Sequence, residues 1–448
     1  MNGEHIGDWH TGPAGDELRY VATWLRSPQA RPLSLSLPFT PGNQAHRGER
    51  VRAYFDNLLP DSKPLRDRLA RRYNAGSTDA FDLLAEAGRD CVGALQIVPE
   101  GRDPGDVRTV HGRPLSDVEV AAELRAVTAP TPFGHQARDD DGLRLSIAGA
   151  QEKTALLWYR DQWWLPTGAT PTTHILKLPL GVVGNLKLDM RHSIENEWLC
   201  AQILAAYGLP VAPCALLSFE DQRVLAVERF DRVWSSDRSW LIRLPQEDLC
   251  QATGTSTDAK YEADGGPGID AVLGVLNSSR RRELDRATFF LAQFLFWLLR
   301  APDGHAKNFS IALHEGGSFS MTPLYDVLSA YPVMGKGAGQ IAPQRVKLAM
   351  ALRCKGTHWR MQEILWRHWV EVGERNGVTT PSGGNVNARS GKALVVPSRN
   401  DVTALLSEAV ARTPQVVRTV SGVLPKGFPA AVAEPLLEGL TASAKAAA

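Results

Sequence analysis

The chain of 448 residues is long enough to bury a large core and to divide into two or three domains. Its formal net charge of +1 argues against non-specific nucleic-acid binding by the chain as a whole, and its five scattered cysteines, without C-x-x-C spacing, indicate neither a disulfide framework nor a zinc site. Because the N-terminus lacks a signal pattern and no segment reaches transmembrane length, we expect a cytoplasmic protein without a membrane partner.

The first hundred residues form a region of mixed secondary structure. Residues 32–39 and 94–98 are predicted to be strands, whereas residues 49–57 and 64–74 have the apolar spacing of helices. Residues 101–110, rich in Gly, Pro and charge, are typical of a connection between domains. We therefore expect a separate N-terminal subdomain.

A segment of small residues stands where a phosphate-binding glycine loop is usually found. Residues 144–156 contain Ala148, Gly149 and Ala150 between strand-like stretches, and the chain contains no G-x4-G-K-[ST] and no G-x-G-x-x-G before the next predicted strand. Such a sequence permits a tight turn whose backbone N–H groups face phosphate oxygens. Ser146 lies at the rim of this predicted turn.

Two charged residues downstream match the lysine and glutamate of a kinase nucleotide site. The alternating run at residues 174–179 predicts a strand that carries Lys177, and residues 195–204 have helical spacing with Glu197 near the N-terminus. Protein kinases pair a strand lysine with a helix glutamate, and the lysine holds the phosphates by charge. An ordinary lysine on the exposed face of a strand is an equally good interpretation of Lys177 taken alone.

The next predicted strand ends in a candidate hinge. Residues 224–232 indicate a strand that emerges into a loop, where a hinge between two lobes presents backbone groups to adenine. Phe230 can cover the adenine ring in this position. A core aromatic is the simpler interpretation of that residue taken alone.

Asp303, Asn308 and Asp326 have the spacing by which protein kinases assemble a catalytic base and a metal site. We expect Asp303 to orient an attacking hydroxyl and accept its proton, and Asn308 and Asp326 to hold Mg²⁺ through oxygen atoms. The preceding residues 287–299 are apolar on nearly every side and predict a buried helix that supports this loop. The spacing alone is a weak signal, because a surface turn, a cap and a helix start would also explain the three residues.

These motifs belong to a longer set of segments, residues 32–38, 55–62, 146–154, 171–179, 227–232, 243–248, 260–268 and 303–308. Together the segments resemble the HipA toxins, serine/threonine kinases of bacterial type II toxin-antitoxin pairs. The likeness covers most of the chain.

The resemblance implies a role for each matching residue. Asp303 matches the catalytic base, Asn308 and Asp326 match the magnesium ligands, and Ser146 matches a serine whose autophosphorylation switches the enzyme off. Glu197 is expected to support Lys177 as its ion-pair partner. The residues that match ATP contacts are Ile147, Ala148, Gly149, Ala150, Gln151, Glu152, Lys177, Glu228, Arg229, Phe230, His305, Ala306, Lys307, Asn308, Tyr325 and Asp326.

The resemblance also implies partners. Such toxins phosphorylate a translation component, above all an aminoacyl-tRNA synthetase, and the modification causes growth arrest. A HipB-like helix-turn-helix antitoxin neutralises them. Operator DNA is expected to be bound mainly through that antitoxin, because the family's basic DNA-contacting positions align here with Glu374 and Gly377.

The expected fold class is α+β, in the form of a bilobal protein-kinase-like fold. We predict an N-terminal HipA-type subdomain at residues 1–110, a strand-rich nucleotide-binding lobe at 111–232, and a mostly helical catalytic lobe at 233–448 with a flexible insertion near 378–399. Two alternatives to an active protein kinase are a catalytically weak corepressor in an antitoxin-operator complex and a small-molecule or lipid kinase. A binding component has no reason to keep a base, metal ligands and a phosphate lysine together, which favours the protein kinase over the corepressor.

Overall fold

A computed structural model of the chain describes residues 1–128, 151–380 and 401–447. The strands in these residues are β1 Gly7–Gly12, β2 Gly15–Tyr20, β3 His46–Arg47, β4 Gly112–Pro114, β5 Lys153–Tyr159, β6 Gln162–Pro166, β7 His174–Lys177, β8 Gly181–Val183, β9 Leu188–Met190, β10 Cys214–Phe219, β11 Gln222–Glu228, β12 Arg232–Trp234, β13 Leu241–Arg243, β14 Gln246–Asp248, β15 Ser310–Leu313, β16 Phe319–Met321, β17 Lys347–Arg353 and β18 Thr357–Arg360. The α-helices are α1 Ala22–Leu25, α2 Glu49–Asp56, α3 Lys63–Tyr73, α4 Ala80–Ala87, α5 Asp117–Thr128, α6 Ser193–Ala206, α7 Leu249–Thr253, α8 Ile269–Leu276, α9 Arg282–Leu298, α10 Trp366–Arg375, α11 Val402–Ser421 and α12 Ala430–Ala447.

The chain divides into two compact units. The first contains Met1–Leu178, Leu217–Lys260 and Ser310–Phe319, and the second contains Pro179–Leu216, Tyr261–Phe309 and Ser320–Ala448. The chain therefore passes between the units several times. The three consecutive regions expected from the sequence divide the chain differently and stay a prediction.

The first unit is built around a six-stranded sheet of order β10-β11-β7-β5-β6-β4, in which each of the five strands from β11 to β4 pairs with the next. These neighbours are antiparallel, and β7 lies between β5 and β11, with Lys177 opposite Lys153 on one side and Leu225 on the other. Leu156, Leu176 and Ala226 form a core with α5 beneath the sheet. Lys177, on this central strand, is only 6% exposed.

The N-terminal part of the first unit has its own core. The three-stranded sheet β1-β2-β3 packs with α2 and α4, and Leu18, Tyr20, Phe55 and Leu84 are buried there. The two helices predicted in this region are present as α2 and α3.

The strands predicted at residues 32–39 and 94–98 are wrong. Residues 34 and 37 form a single isolated bridge, and residues 94–98 belong to no strand. Side chains bind the backbone groups that a ladder would have used: the Leu33 N–H donates to the Tyr20 hydroxyl at 2.8 Å, and that hydroxyl donates to the Leu37 carbonyl at 2.5 Å. The alternation of apolar residues at 32–39 suggested a strand. Because a side chain from elsewhere in the unit already binds these backbone groups, no strand ladder is needed to satisfy them.

A fully buried cluster of charged residues joins distant segments of the first unit. Arg229 and Arg232 contact both Asp90 and Asp231 at 2.9 to 3.1 Å, and Arg243 approaches Asp90 at 3.3 Å. Although burial alone would raise the pKa of Asp90, the three guanidinium groups hold it well below its usual range. Removing one partner would leave an uncompensated buried charge, so these contacts tie residue 90 to the segment after β11.

The second unit is mainly helical. Its central helix α9 is buried along nearly its whole length, from Asp285 to Leu298, as the apolar run predicted. Phe290, Phe294 and Trp297 of α9 make edge-on or tilted ring contacts with Trp369 of α10. In the described part of the chain, no helix combines the length and apolarity needed to cross a membrane.

We predict a pH-dependent stability from Glu247, which is fully buried on β14 and accepts the Leu35 N–H through Oε1 at 2.8 Å. Burial raises the pKa of this carboxyl from its ordinary value of 4.5 to about 8. The folded state therefore favours the protonated form, and its stability falls as the pH rises from 4.5 through 8. Glu247→Gln, which imitates the protonated acid, should raise the free energy of unfolding at pH 8.5 by about 1–3 kcal/mol and leave it unchanged at pH 4.5 or below.

Urea unfolding followed by tryptophan fluorescence at both pH values measures this difference. The exposed Glu363→Gln serves as the control and should change neither value by more than about 0.5 kcal/mol. Equal effects of Glu247→Gln at the two pH values would contradict the prediction.

Candidate active site

The loop that carries Asp303 is held against the end of helix α9. The Gln293 side chain on α9 donates to the Gly304 carbonyl at 3.0 Å, and Gly304 packs so closely on Phe296 that an added Cβ would lie 2.5 Å from the ring carbon Cδ2. Glycine is required here by space, since the φ angle of Gly304 lies outside the left-handed region. The neighbouring Asp303 is thereby fixed to a rigid, buried helix.

Asn308 closes this loop onto itself. Its side-chain Nδ2 donates to the Asp303 carbonyl at 2.7 Å, and its backbone N–H donates to the His305 carbonyl at 3.0 Å. The Tyr325 hydroxyl donates to the Lys307 carbonyl at 3.2 Å. The Asp303 side chain is 48% exposed, whereas that of His305 is 3% exposed, so the loop presents the carboxylate and buries the imidazole.

Asp326 adopts an unusual backbone conformation, with φ at 60°. The residue two before it, Leu324, is held on both sides: its N–H donates to the Pro210 carbonyl at 2.8 Å and its carbonyl accepts the Ala212 N–H at 2.9 Å. A left-handed aspartate fixed in this way is typical of functional sites, where surrounding structure maintains a less favourable conformation.

The predicted magnesium ligands have suitable chemistry. The amide nitrogen of Asn308 is used by the Asp303 carbonyl, so the amide oxygen is the atom that can coordinate a cation. The other predicted ligand is the carboxylate of Asp326, and a hard cation such as Mg²⁺ prefers oxygen ligands of this kind. Asp303, Asn308 and Asp326 all belong to the second unit.

The first unit contains the residues predicted to contact phosphate. Lys177 ends β7 and is buried, and the adjacent Leu178 accepts from Gln151 Nε2 at 2.6 Å and donates to the Glu152 carbonyl at 3.1 Å. The Glu152 carboxylate in turn forms an ion pair of 2.5 Å with Arg68 on α3. The end of the predicted phosphate loop is therefore anchored, while Ser146, Ile147, Ala148, Gly149 and Ala150 lie outside the described residues.

The expected role of Arg229 in contacting ATP is not supported by its surroundings. Its guanidinium is buried against Asp90 and Asp231, its N–H donates to the Thr173 carbonyl at 2.8 Å, and its carbonyl accepts the Arg232 N–H at 3.3 Å. Every polar group of Arg229 is thus bound within the protein. The neighbouring Glu228 ends β11 opposite His174, and Glu228 and Phe230 stay candidates for the adenine contact.

Lys177 and Glu197 are both buried, at 6% and 5% exposure. Lys177 belongs to the first unit and Glu197, on helix α6, to the second. Their predicted ion pair stays a prediction.

His305, Ala306 and Lys307 are buried beside Asp303 in the described loop.

Sequence reasoning missed Tyr261, whose hydroxyl donates to Asp303 Oδ1 at 2.5 Å. It also missed Arg68 as the partner of Glu152. Tyr261 lies 42 positions before Asp303, and no spacing rule connects the two. Residues 260–268, which include Tyr261, belong to the segments that resemble the family. That resemblance was the signal that could have indicated a role for Tyr261.

Comparison with known proteins places the chain in the kinase class, the phosphotransferases. The HipA-like C-terminal domain matches residues 145–415, and the HipA N-terminal domain matches residues 1–98. The first of these matches alone spans more than half of the chain. The chain therefore belongs to the HipA family.

Individual relatives agree with this assignment. The chain is 34% identical over 358 residues to Y4mE of Sinorhizobium fredii, named as a candidate kinase, covering 78% of this chain and 81% of that protein. It is 27% identical over 343 residues to the serine/threonine-protein kinase toxin HipA of Shewanella oneidensis, covering 72% and 74%. HipA in the solved Shewanella oneidensis complex of HipA, HipB and operator DNA has the same fold, with a TM-score of 0.73 at 22% identity over 98% of this chain and 94% of that one. The expected α+β, kinase-like fold class is confirmed.

We predict that Gly304→Ala lowers ATP turnover by at least about 10-fold, because the added methyl must displace Phe296 or the loop that carries Asp303. The matched control is Gly274→Ala on α8, where nothing lies within 4 Å of the added Cβ. Alanine is also the better helix former, so this control should keep full turnover. Equal turnover in both variants would show that the Gly304 contact does not position the loop.

Proposed function

We propose that this chain is a HipA-type toxin that acts as an ATP- and Mg²⁺-dependent serine/threonine protein kinase. The observation that carries the proposal is the closed loop of Asp303 to Asn308, in which the Asn308 amide nitrogen donates to the Asp303 carbonyl, so that the amide oxygen is the atom that could coordinate a cation. The S. oneidensis relative named as a serine/threonine-protein kinase toxin supports the acceptor class.

The reaction assigns separate work to each residue. Asp303 Oδ2 orients the acceptor hydroxyl and takes its proton as the hydroxyl oxygen bonds to the γ-phosphorus of ATP, while the bond from that phosphorus to ADP breaks and ADP leaves. Lys177 supplies positive charge for the phosphates from a rigid central strand, where burial strengthens electrostatic interactions. Asn308 and Asp326 would hold Mg²⁺, which would neutralise phosphate charge.

The proposed partners are an antitoxin and a translation component. The similar HipA structure is a complex with HipB and operator DNA, which supports a HipB-like antitoxin for this chain, with operator DNA bound mainly through it. We propose an aminoacyl-tRNA synthetase as the phosphorylated substrate, on the family resemblance. This arrangement places the chain in the cytoplasm.

We also propose that autophosphorylation of Ser146 switches the enzyme off. A phosphoserine adds about −1.5 to −2 charge, which opposes binding of the triphosphate beside it. Ser146 lies five positions before Gln151 in the sequence, and Gln151 and Glu152 are anchored by Leu178 and Arg68, so the added charge would stand close in sequence to a fixed segment.

Asp303→Asn should lower phosphate transfer by at least about 10³-fold while preserving the fold and antitoxin binding, because the amide cannot accept the hydroxyl proton. Mass spectrometry of wild type and variant incubated with ATP and Mg²⁺ measures the modification directly. Asp270→Asn, an exposed aspartate of the same unit that pairs with Arg375, is the control and should retain transfer. An unmodified wild-type chain with no labelled target in lysate would contradict the kinase proposal and favour the corepressor alternative.

Ser146→Ala should remove self-inactivation and so raise toxicity in cells without the antitoxin. We expect the number of surviving colonies to fall by at least about 10-fold relative to wild type. Ser421→Ala, at the exposed end of α11, is the matched control and should leave survival unchanged. If both variants are as toxic as wild type, Ser146 is not the switch.

A further inference from the structure

We propose that Tyr261 is a positioning residue for Asp303, an inference that rests on the proposed kinase function. The Tyr261 hydroxyl donates to Asp303 Oδ1 at 2.5 Å. His305 Nε2 lies 3.5 Å from the same oxygen, and the rings of Tyr261 and His305 meet edge to face at 4.9 Å. Two rings that support each other therefore converge on one oxygen of the base.

This arrangement separates the two carboxylate oxygens of Asp303. Oδ1 faces Tyr261 and His305, so Oδ2 is the oxygen that can receive the acceptor hydroxyl. An aspartate that is half exposed can rotate about its last side-chain bond, and a hydrogen bond to one oxygen limits that rotation. Because a tyrosine hydroxyl stays protonated near neutral pH, Tyr261 directs the base and does not replace it.

The backbone of Tyr261 is itself held in place. Its carbonyl accepts the N–H groups of Gly266 at 2.9 Å and Asp264 at 3.0 Å, which closes a tight turn after Tyr261. A residue can position another only if its own backbone is restrained. This turn restrains the backbone of Tyr261 from the C-terminal side.

The next residue, Glu262, anchors the same segment to β17. Its buried carboxylate accepts the Ala351 N–H at 2.7 Å and Arg353 Nε at 2.6 Å. Gly268 packs directly on this carboxyl, since an added Cβ there would lie 2.5 Å from the Glu262 carboxyl carbon. Tyr261 therefore contacts Asp303 from a segment that is held rigidly. All these contacts lie within the second unit.

The test is Tyr261→Phe, which removes the hydroxyl and keeps the ring that packs on His305. We expect the turnover number with ATP to fall about 10-fold, while the KM for ATP and the dissociation constant measured with ATP in the absence of turnover stay within twofold. The readouts are phosphate incorporation into the chain and ATP hydrolysis by the purified full-length protein.

The matched control is Tyr207→Phe. Tyr207 belongs to the same unit and also loses a buried hydroxyl contact, 2.7 Å from Thr413 Oγ1, so it reports the general cost of removing such a bond. It should keep the wild-type turnover number. Thermal unfolding of both variants shows whether the fold is retained. An unchanged dissociation constant for ATP shows that the nucleotide site is intact.

The outcomes distinguish a failure of the kinase proposal from a failure of this inference alone. A wild-type chain that transfers no phosphate overturns the kinase proposal and this inference with it. An active wild type with Tyr261→Phe at the same turnover number overturns this inference alone, as does an equal loss in Tyr207→Phe. Phosphotyrosine at position 261 in the wild type would also overturn it, because the hydroxyl would then be an acceptor.

Discussion

The packing of Gly304 against α9 is the constraint on which the candidate site depends. Asp303 has no secondary structure of its own to hold it, and the loop around it is short. Contact with Phe296 and the hydrogen bond from Gln293 transfer the rigidity of a buried helix to this loop. Asn308 then ties the other end of the loop back to the Asp303 carbonyl, so the proposed base and the proposed metal ligand are held in one loop.

Buried charged residues of the chain fall into two groups. Three arginines and two aspartates of the first unit pair with one another and bind segments that are far apart in sequence. Such a cluster is stable only when its members are hydrogen-bonded, which explains why Arg229 is committed to it. Lys177 and Glu197, the residues of the predicted nucleotide site, are buried as well. A buried lysine that binds a nucleotide must stay accessible to the phosphates, which the arginines of the cluster need not be.

The short sequence at residues 228–232 contains both predicted ligand contacts and structural charges. Glu228 is the last residue of β11 and Phe230 lies in the turn that follows, whereas the side chains of Arg229, Asp231 and Arg232 belong to the charged cluster. Sequence similarity alone does not distinguish these neighbours, because all of them belong to the same resembling segment. Only the direction of each side chain separates a ligand contact from a structural one.

The sequence alone predicted the buried helix before Asp303 and the strand that carries Lys177, because apolar periodicity is a local property of the chain, and the kinase class followed from the family resemblance. The helices α2 and α3 followed from the same kind of signal. Tertiary structure decided that residues 32–39 form no strand, that the Arg229 guanidinium pairs with Asp90 and Asp231, and that Tyr261 contacts Asp303, 42 positions further along the chain. These outcomes depend on partners distant in sequence, and a hydrogen bond between them exists only after the chain has folded.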